Sequence, residues 1–230
     1  MRACLIDGQA TEIASCHTHL PEPRRIGAGI EQDADLWWQA LDRVLRDLGG
    51  RGLLREVAAV AVDGTSATLL ACAADGSPLA PALMYNDSRA GTEAERIGDL
   101  APRDSGAHGA SASLAKALWL NAALAGKPIR HLLHQADWLS GRLCGRFGIS
   151  DENNALKLGY DPVARRWPEW LDRSGLDWNW LPEVFAPGTR VGTLLPQWAE
   201  RWSMPTAAVC AGTTDSTAAF LATGAERVGQ

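Results

Sequence analysis

Residues Val209–Ala225 read VCAGTTDSTAAFLATGA. The apolar run Ala207–Ala211 suits a strand, Gly212-Thr213-Thr214-Asp215 a polar turn, and Thr217–Thr223 the start of a helix. Asp215 stands there as a lone acid among small residues. A second stretch has the same layout. Val57–Val62 is a continuous apolar run rich in valine, which predicts a strand buried on both faces, and it stops at Asp63-Gly64-Thr65-Ser66. Ligands of open α/β sheets bind beyond the carboxyl ends of the strands, so both turns are candidates for a site. Glycine lets a ligand come close to the backbone, and hydroxyls with amides can hold sugar hydroxyls or phosphate. Thr213 and Asp215 would equally serve to cap the next helix. The repetition of the pattern brings the two readings level.

Outward from these stretches the chain alternates. Arg2–Ile6 and Glu12–His19 flank Asp7-Gly8 and predict an antiparallel pair. A connection containing Pro21 and Pro23 leads to a helix capped by Asp33, with Trp37, Ala40, Leu41, Val44, Leu45 and Leu48 at helical spacing and Gly49-Gly50 at its end. Thr68–Ala73 predicts a further strand, turning at Asp75-Gly76. Residues 89–125 read as helical with a break around Pro102–Gly109, and a helix is expected over His131–Leu143. Asp151–Ser203 is irregular and holds six of the ten tryptophans, which favours core and loop packing over a ligand platform. The order predicts one α/β domain with a mixed sheet.

Composition narrows the function. With 46% apolar and 21% charged residues the chain is that of a globular protein, and its 230 residues can build a sizeable core. A net charge of −5 and no basic stripe argue against nucleic acid as a partner. No apolar run nears the roughly 18 residues of a membrane span. Cys4, Cys16, Cys72, Cys144 and Cys210 are too scattered for a zinc or dithiol motif and fit free thiols in a reducing cytoplasm. His131 and His134 have helical metal-ligand spacing but no third ligand nearby. Gly126-Lys127-Pro128 lacks the rest of a Walker A loop, and no G-x-S-x-G elbow occurs. Tyr85-Asn86-Asp87-Ser88-Arg89 reads as a pocket wall or, equally, as a helix cap.

AVAVDGTSATLLACAADGSPLAPALMYNDSRA resembles a segment of the FGGY family of carbohydrate kinases. The remaining matches fall in the family's order: ADWLSGRLCG, with Cys144 where threonine is usual, then SDENNALKLGYDP, LPEVFAPGTRVGTL and AGTTDSTAAFLATGA. The resemblance implies an actin-like, ribonuclease-H-like α/β fold with a mixed five-stranded-type sheet, and a sugar site deep in a cleft. It implies ATP and Mg²⁺ as cofactors and a small ketose or polyol as substrate. Asp215 becomes the general base, with Gly212, Thr213 and Thr214 as its phosphate loop. Ser66, Asp63 and Thr65 line the sugar pocket, joined by Asn86, Asp87 and Asp151. Asp63-Gly64-Thr65-Ser66 looks most like the D-ribulose kinase branch, since xylulose kinases usually show Q-M-H at the first three of these positions. D-xylulose and L-ribulose remain alternatives, as does a non-catalytic sugar-binding or actin-like interaction module.

Two departures shape the expectations. The family's opening D-F-G-T-S-G-x-R motif is not matched, because the chain starts at Met1-Arg2, so a central first strand is expected to be missing and strand edges exposed, with a homodimer as one outcome. The chain also stops at Gln230, where the family continues towards its ATP-binding domain. Residues 1–230 are therefore expected to form a single sugar-binding N-terminal domain with no metal site of its own and negligible kinase activity by itself.

Overall fold

The computed structural model describes residues 1–224; residues 225–230, part of the end from which truncation was inferred, lie outside the described residues. The expected opening pair is present: β1 (Arg2–Ile6) runs antiparallel to β2 (Glu12–His17), with Arg2 opposite His17. The proline-containing connection holds an unforeseen hairpin, β3 (Arg24–Ile26) and β4 (Gly29–Gln32), turning at Gly27 with φ 59°. The Asp33 side chain then accepts a bond from the Asp35 amide and starts α1 (Ala34–Gly50), whose buried face carries Trp37, Leu41, Val44 and Leu48. Next come β5 (Ala59–Gly64), β6 (Leu69–Cys72) and β7 (Ala82–Leu83). The expected broken helical region resolves into α2 (Gly91–Leu100) and α3 (Ser113–Ala123). β8 (His131–His134) and α4 (Gln135–Cys144) follow. The irregular region holds β9 (Ile149–Asp151), α5 (Glu152–Ala155), three 3-10 turns, β10 (Glu183–Phe185), β11 (Arg190–Thr193) and α6 (Pro196–Trp202). The last elements are β12 (Ala208–Thr214) and α7 (Asp215–Leu221).

Among the described residues the strands fall into four sheets. They are β1-β2, the parallel pair β9-β10, the mixed sheet β11-β12-β5, and an antiparallel five-stranded sheet in the order β3-β4-β7-β6-β8. β6 is buried on both faces: Leu70 and Cys72 join one apolar cluster with α1 and α4, while Leu69 and Ala71 join a second with α2 and α3. The period-two alternation of a strand makes this split possible.

Three sequence expectations need correction. β5 is not buried on both faces, because Ala59, Ala61 and Asp63 are exposed and only Val62 and Gly64 are buried. An apolar run of small residues does not show which face is covered, and here α4 covers one face only. Residues 131–134 form a strand, not a helix. Leu132 and Leu133 pack into opposite clusters, and the helix starts only after His134 and Asp137 make a reciprocal capping box. α7 begins at Asp215, two residues before the expected start, because the Thr214 side chain caps it. Among the described strands β1 pairs only with β2, and β5 only with β12.

β5 and β12 run parallel, with Cys210 opposite Ala61 but Thr213 opposite Asp63. Three steps along β12 thus match two along β5, a bulge centred on Ala211-Gly212. A Cβ added at Gly212 would overlap the Val62 carbonyl, so the close approach needs glycine. Gly212→Ala should therefore lower stability by about 2–3 kcal/mol in urea denaturation. Gly98→Ala, in α2 with open space around it, should instead raise it by about 0.5–1 kcal/mol.

Candidate active site

The bulge sets the two glycine turns side by side. Thr213 lies opposite Asp63 and Thr214 opposite Gly64 at the carboxyl ends of the parallel strands. Glycine is required at position 64 as well, since a side chain there would press on the Ala136 amide at the start of α4. The cap of α7 is Thr214, whose hydroxyl accepts from the Thr217 amide at 3.4 Å and bonds the Thr217 hydroxyl at 2.9 Å. The helix thus takes its cap from Thr214 rather than from Thr213 or Asp215. Asp215 is exposed, and among the described residues its Oδ1 accepts only from the neighbouring Ser216 amide, at 2.8 Å. The carboxylate faces solvent at the strand ends.

Asp63 keeps a solvent-facing edge. Partial burial still pushes its carboxyl up from the usual range, a bond from the Thr213 amide pulls the other way, and the Asp215 charge adds to the push. Thr65 is held from below by Gln135, the first residue of α4: Gln135 Oε1 accepts from the Thr65 amide at 3.1 Å and from its hydroxyl at 3.2 Å. The Thr68 amide donates to the Thr65 carbonyl across a tight turn in which Ala67 has φ 64°. Ser66 sits at the crest of that turn, half-buried.

The remaining candidates have different surroundings. Thr213 is buried, and its hydroxyl accepts from Asn153 Nδ2 at 2.7 Å, which joins this turn to the loop of Asp151. Asp151 is buried and turned inward. Its Oδ1 accepts from the amides of Asn153 and Asn154, capping α5, and its Oδ2 from Asn154 Nδ2 at 2.6 Å. Burial, and then the nearby Asp137 charge, push its carboxyl up to about 6 against those bonds. Asp87 is also fully buried and accepts from the Ile30 amide at 2.6 Å, the Arg89 amide and Arg89 Nε. Arg89 in turn bonds Glu31 and lies over the Trp119 ring at 4.8 Å. Asp87 therefore braces the fold from inside, whereas Asn86 is half-buried with an Oδ1 that finds no hydrogen-bond partner among the described residues.

Asp63, Gly212, Thr213, Thr214 and Asp215 are thus brought together directly, with Thr65 and Ser66 next to them on the same turn. Asp151 is linked to them through Asn153. Asn86 and Asp87 connect to the Ser66 turn through Lys116, which bonds the carbonyls of both segments. Gln135, Asn153 and Lys116 were not singled out from sequence. A single lysine inside the apolar helix SLAKALWLNAA was the one visible signal among the three. His134, which the sequence offered no third metal ligand, is buried and bonds Ser113 and Asp137.

Comparison with known proteins gives this arrangement a context. The chain is 34% identical to a xylulose kinase of Streptomyces coelicolor over 97% of its own length and 48% of that protein. It is 28% identical to a xylulose kinase of Escherichia coli with the same coverages. It superposes on a crystal structure described as a xyloylose kinase from Brucella ovis with a TM-score of 0.84 and 25% identity, covering 94% of this chain and 47% of that one. A gluconate kinase from Lactobacillus acidophilus gives the same TM-score at 18% identity, which speaks for the fold alone. The chain spans about half the length of the curated relatives it matches. The mixed α/β architecture is that of actin-like sugar kinase N-terminal domains. Residues 1–222 match the profile of the N-terminal domain of these enzymes, and the chain belongs to the FGGY family of carbohydrate kinases.

Proposed function

We propose that residues 1–230 are the sugar-binding domain of an ATP-dependent kinase that phosphorylates a ketopentose. The observation that carries this reading is the Asp215 carboxylate, left open at the ends of β5 and β12 because Thr214 takes over the capping of α7. A carboxylate within hydrogen-bond reach of a sugar hydroxyl can accept its proton as the oxygen attacks the γ-phosphate. Ser66, Thr65 and Asp63 form one wall of the sugar pocket and the segment of Asn86 forms another. Gly212, Thr213 and Thr214 give the phosphate a close backbone approach. Asp87 and Asp151 support these walls from behind. Mg²⁺ takes oxygen ligands and travels with nucleotide phosphates, and the carboxylates of Asp63 and Asp215 are donors of the right kind. A second domain supplies most of the ATP contacts in this reading, so the chain alone releases little ADP.

D-xylulose is the first substrate to test, because the curated relatives are xylulose kinases. The Asp63-Gly64-Thr65 turn supports D-ribulose as the second. Five free cysteines and the lack, among the described residues, of a helix long and apolar enough to cross a membrane are compatible with the cytoplasm. The open edges of β1 and β5 allow self-association, which sedimentation velocity would detect.

Coupled ADP release should be measured across D-xylulose, D-ribulose and L-ribulose. The chain is assayed alone and fused to the C-terminal half of the Streptomyces coelicolor relative. The fusion should turn over one ketopentose well above the others, and equal inertness towards all three would refute the reading. Asp215→Asn in the fusion should lower kcat by about 10²–10⁴-fold while sugar affinity, read by calorimetry, stays within a few-fold. An unchanged kcat would remove Asp215 from the chemistry.

A further inference from the structure

Lys116 lies in the middle of α3 and is entirely buried. Its ammonium donates to the carbonyl of Ala67 at 2.8 Å, of Met84 at 2.7 Å and, more weakly, of Tyr85 at 3.4 Å. These carbonyls belong to two segments far apart in sequence. Ala67 follows Ser66 directly, and Tyr85 precedes Asn86. Ala67 is also strained: at φ 64° it occupies the left-handed region at the third position of a four-residue turn, where glycine is favoured. A buried cation is retained only where its charge is well compensated, and this one is compensated by backbone oxygens of the two segments.

We infer that Lys116 is a positioning residue for the sugar pocket, clamping the Ser66 turn and the Tyr85-Asn86 segment from below so that their side chains keep a fixed separation. The inference rests on the reading of Ser66 and Asn86 as pocket walls. Nothing in the geometry brings Lys116 to the substrate itself, since its three donors are all directed at the backbone. The charged groups that face it are Asp87 and Arg89, on the segment after β7. Burial drives the lysine down to about 8, against the pull of Asp87 and with a smaller push from Arg89. The clamp should therefore weaken in mildly alkaline solution, when the amine keeps its hydrogens for fewer and weaker bonds.

The test uses the whole chain with the ketopentose that the wild type binds, titrated calorimetrically. Wild-type sugar affinity should fall several-fold as pH rises from about 7 to about 9.5, following the loss of one proton near the lysine's lowered value. Lys116→Met, which keeps the length of the side chain and removes the donors, should weaken binding by about tenfold or more and show no such pH dependence. Hydrogen exchange adds a reading that needs no sugar. In Lys116→Met the amides of Ala67-Thr68 and Asn86-Asp87 should exchange faster together, while those of α1 and β12 keep their protection. If the methionine variant does not fold, Lys116→Gln, which keeps a polar donor on a shorter side chain, takes its place, and affinity and exchange both unchanged in it overturn the inference. Affinity and exchange unchanged in a folded Lys116→Met overturn it too, with the pocket reading intact. A wild type that binds no ketopentose sinks the pocket reading instead, and the clamp's role in sugar positioning with it.

Discussion

The parallel pairing of β5 with β12, and the one-residue bulge within it, is the constraint on which the site depends. Without the bulge, β12 would continue in register and the residues after Ala211 would meet different partners on β5. A one-residue slip in a strand turns every following side chain to the other face. With it, Thr213 is buried and reaches Asn153, Thr214 caps α7, and the Asp215 carboxylate is left in solvent. Glycine at position 212 is what the pairing demands, because the Val62 carbonyl occupies the space a Cβ would need. Packing of backbone on backbone thus decides where a carboxylate points.

The second support is polar and buried. α3 packs against β6 through apolar contacts, yet it also carries Ser113 and Lys116, both fully buried. Ser113 bonds His134, which Asp137 holds from the other side at 3.0 Å, so the start of α4 is fixed relative to α3. Such networks are costly when half-made and specify a unique arrangement when complete. Gln135, next in the chain, then fixes the Thr65 amide. The serine, histidine and aspartate here make a brace rather than a nucleophile, because no solvent reaches the serine. The same logic separates Asp87 and Asp151 from Asp215. The first two are buried and satisfied by the protein, whereas Asp215, among the described residues, bonds only its neighbour's amide.

Much of this was legible in the sequence where local signals and tertiary packing agree. Asp33 and the apolar face from Trp37 to Leu48 announce α1, and the two apolar runs announce the strands whose glycine turns the structure sets side by side. The failures come from runs without polar residues. Val57–Val62 has no polar position to mark a solvent face, so its half-exposed placement was not readable. His131-Leu132-Leu133-His134 is too short to separate a helical from a strand period, and only the cluster on each side of β8 settles it. The β3-β4 hairpin was hidden by the prolines before it. Interior bonds such as Asn153 to Thr213 and Lys116 to Ala67 span 60 and 49 residues, and no local pattern announces a partner at that distance.

The two lines of evidence on the substrate carry different weight for a physical reason. An identity of 34% spread over nearly the whole chain reports on the scaffold as a whole. Discrimination between ketopentoses that differ at one hydroxyl rests on a few polar side chains, since a group built to pair with a hydroxyl is left unpaired by the wrong isomer. In the proposed reading such side chains include Asp63 and Ser66, whereas the Thr65 hydroxyl also bonds Gln135 and Thr68 and so belongs to the brace that holds the turn. Family resemblance therefore bears on the reaction more strongly than on the sugar, and the turn after β5 bears on the sugar more strongly than on the reaction.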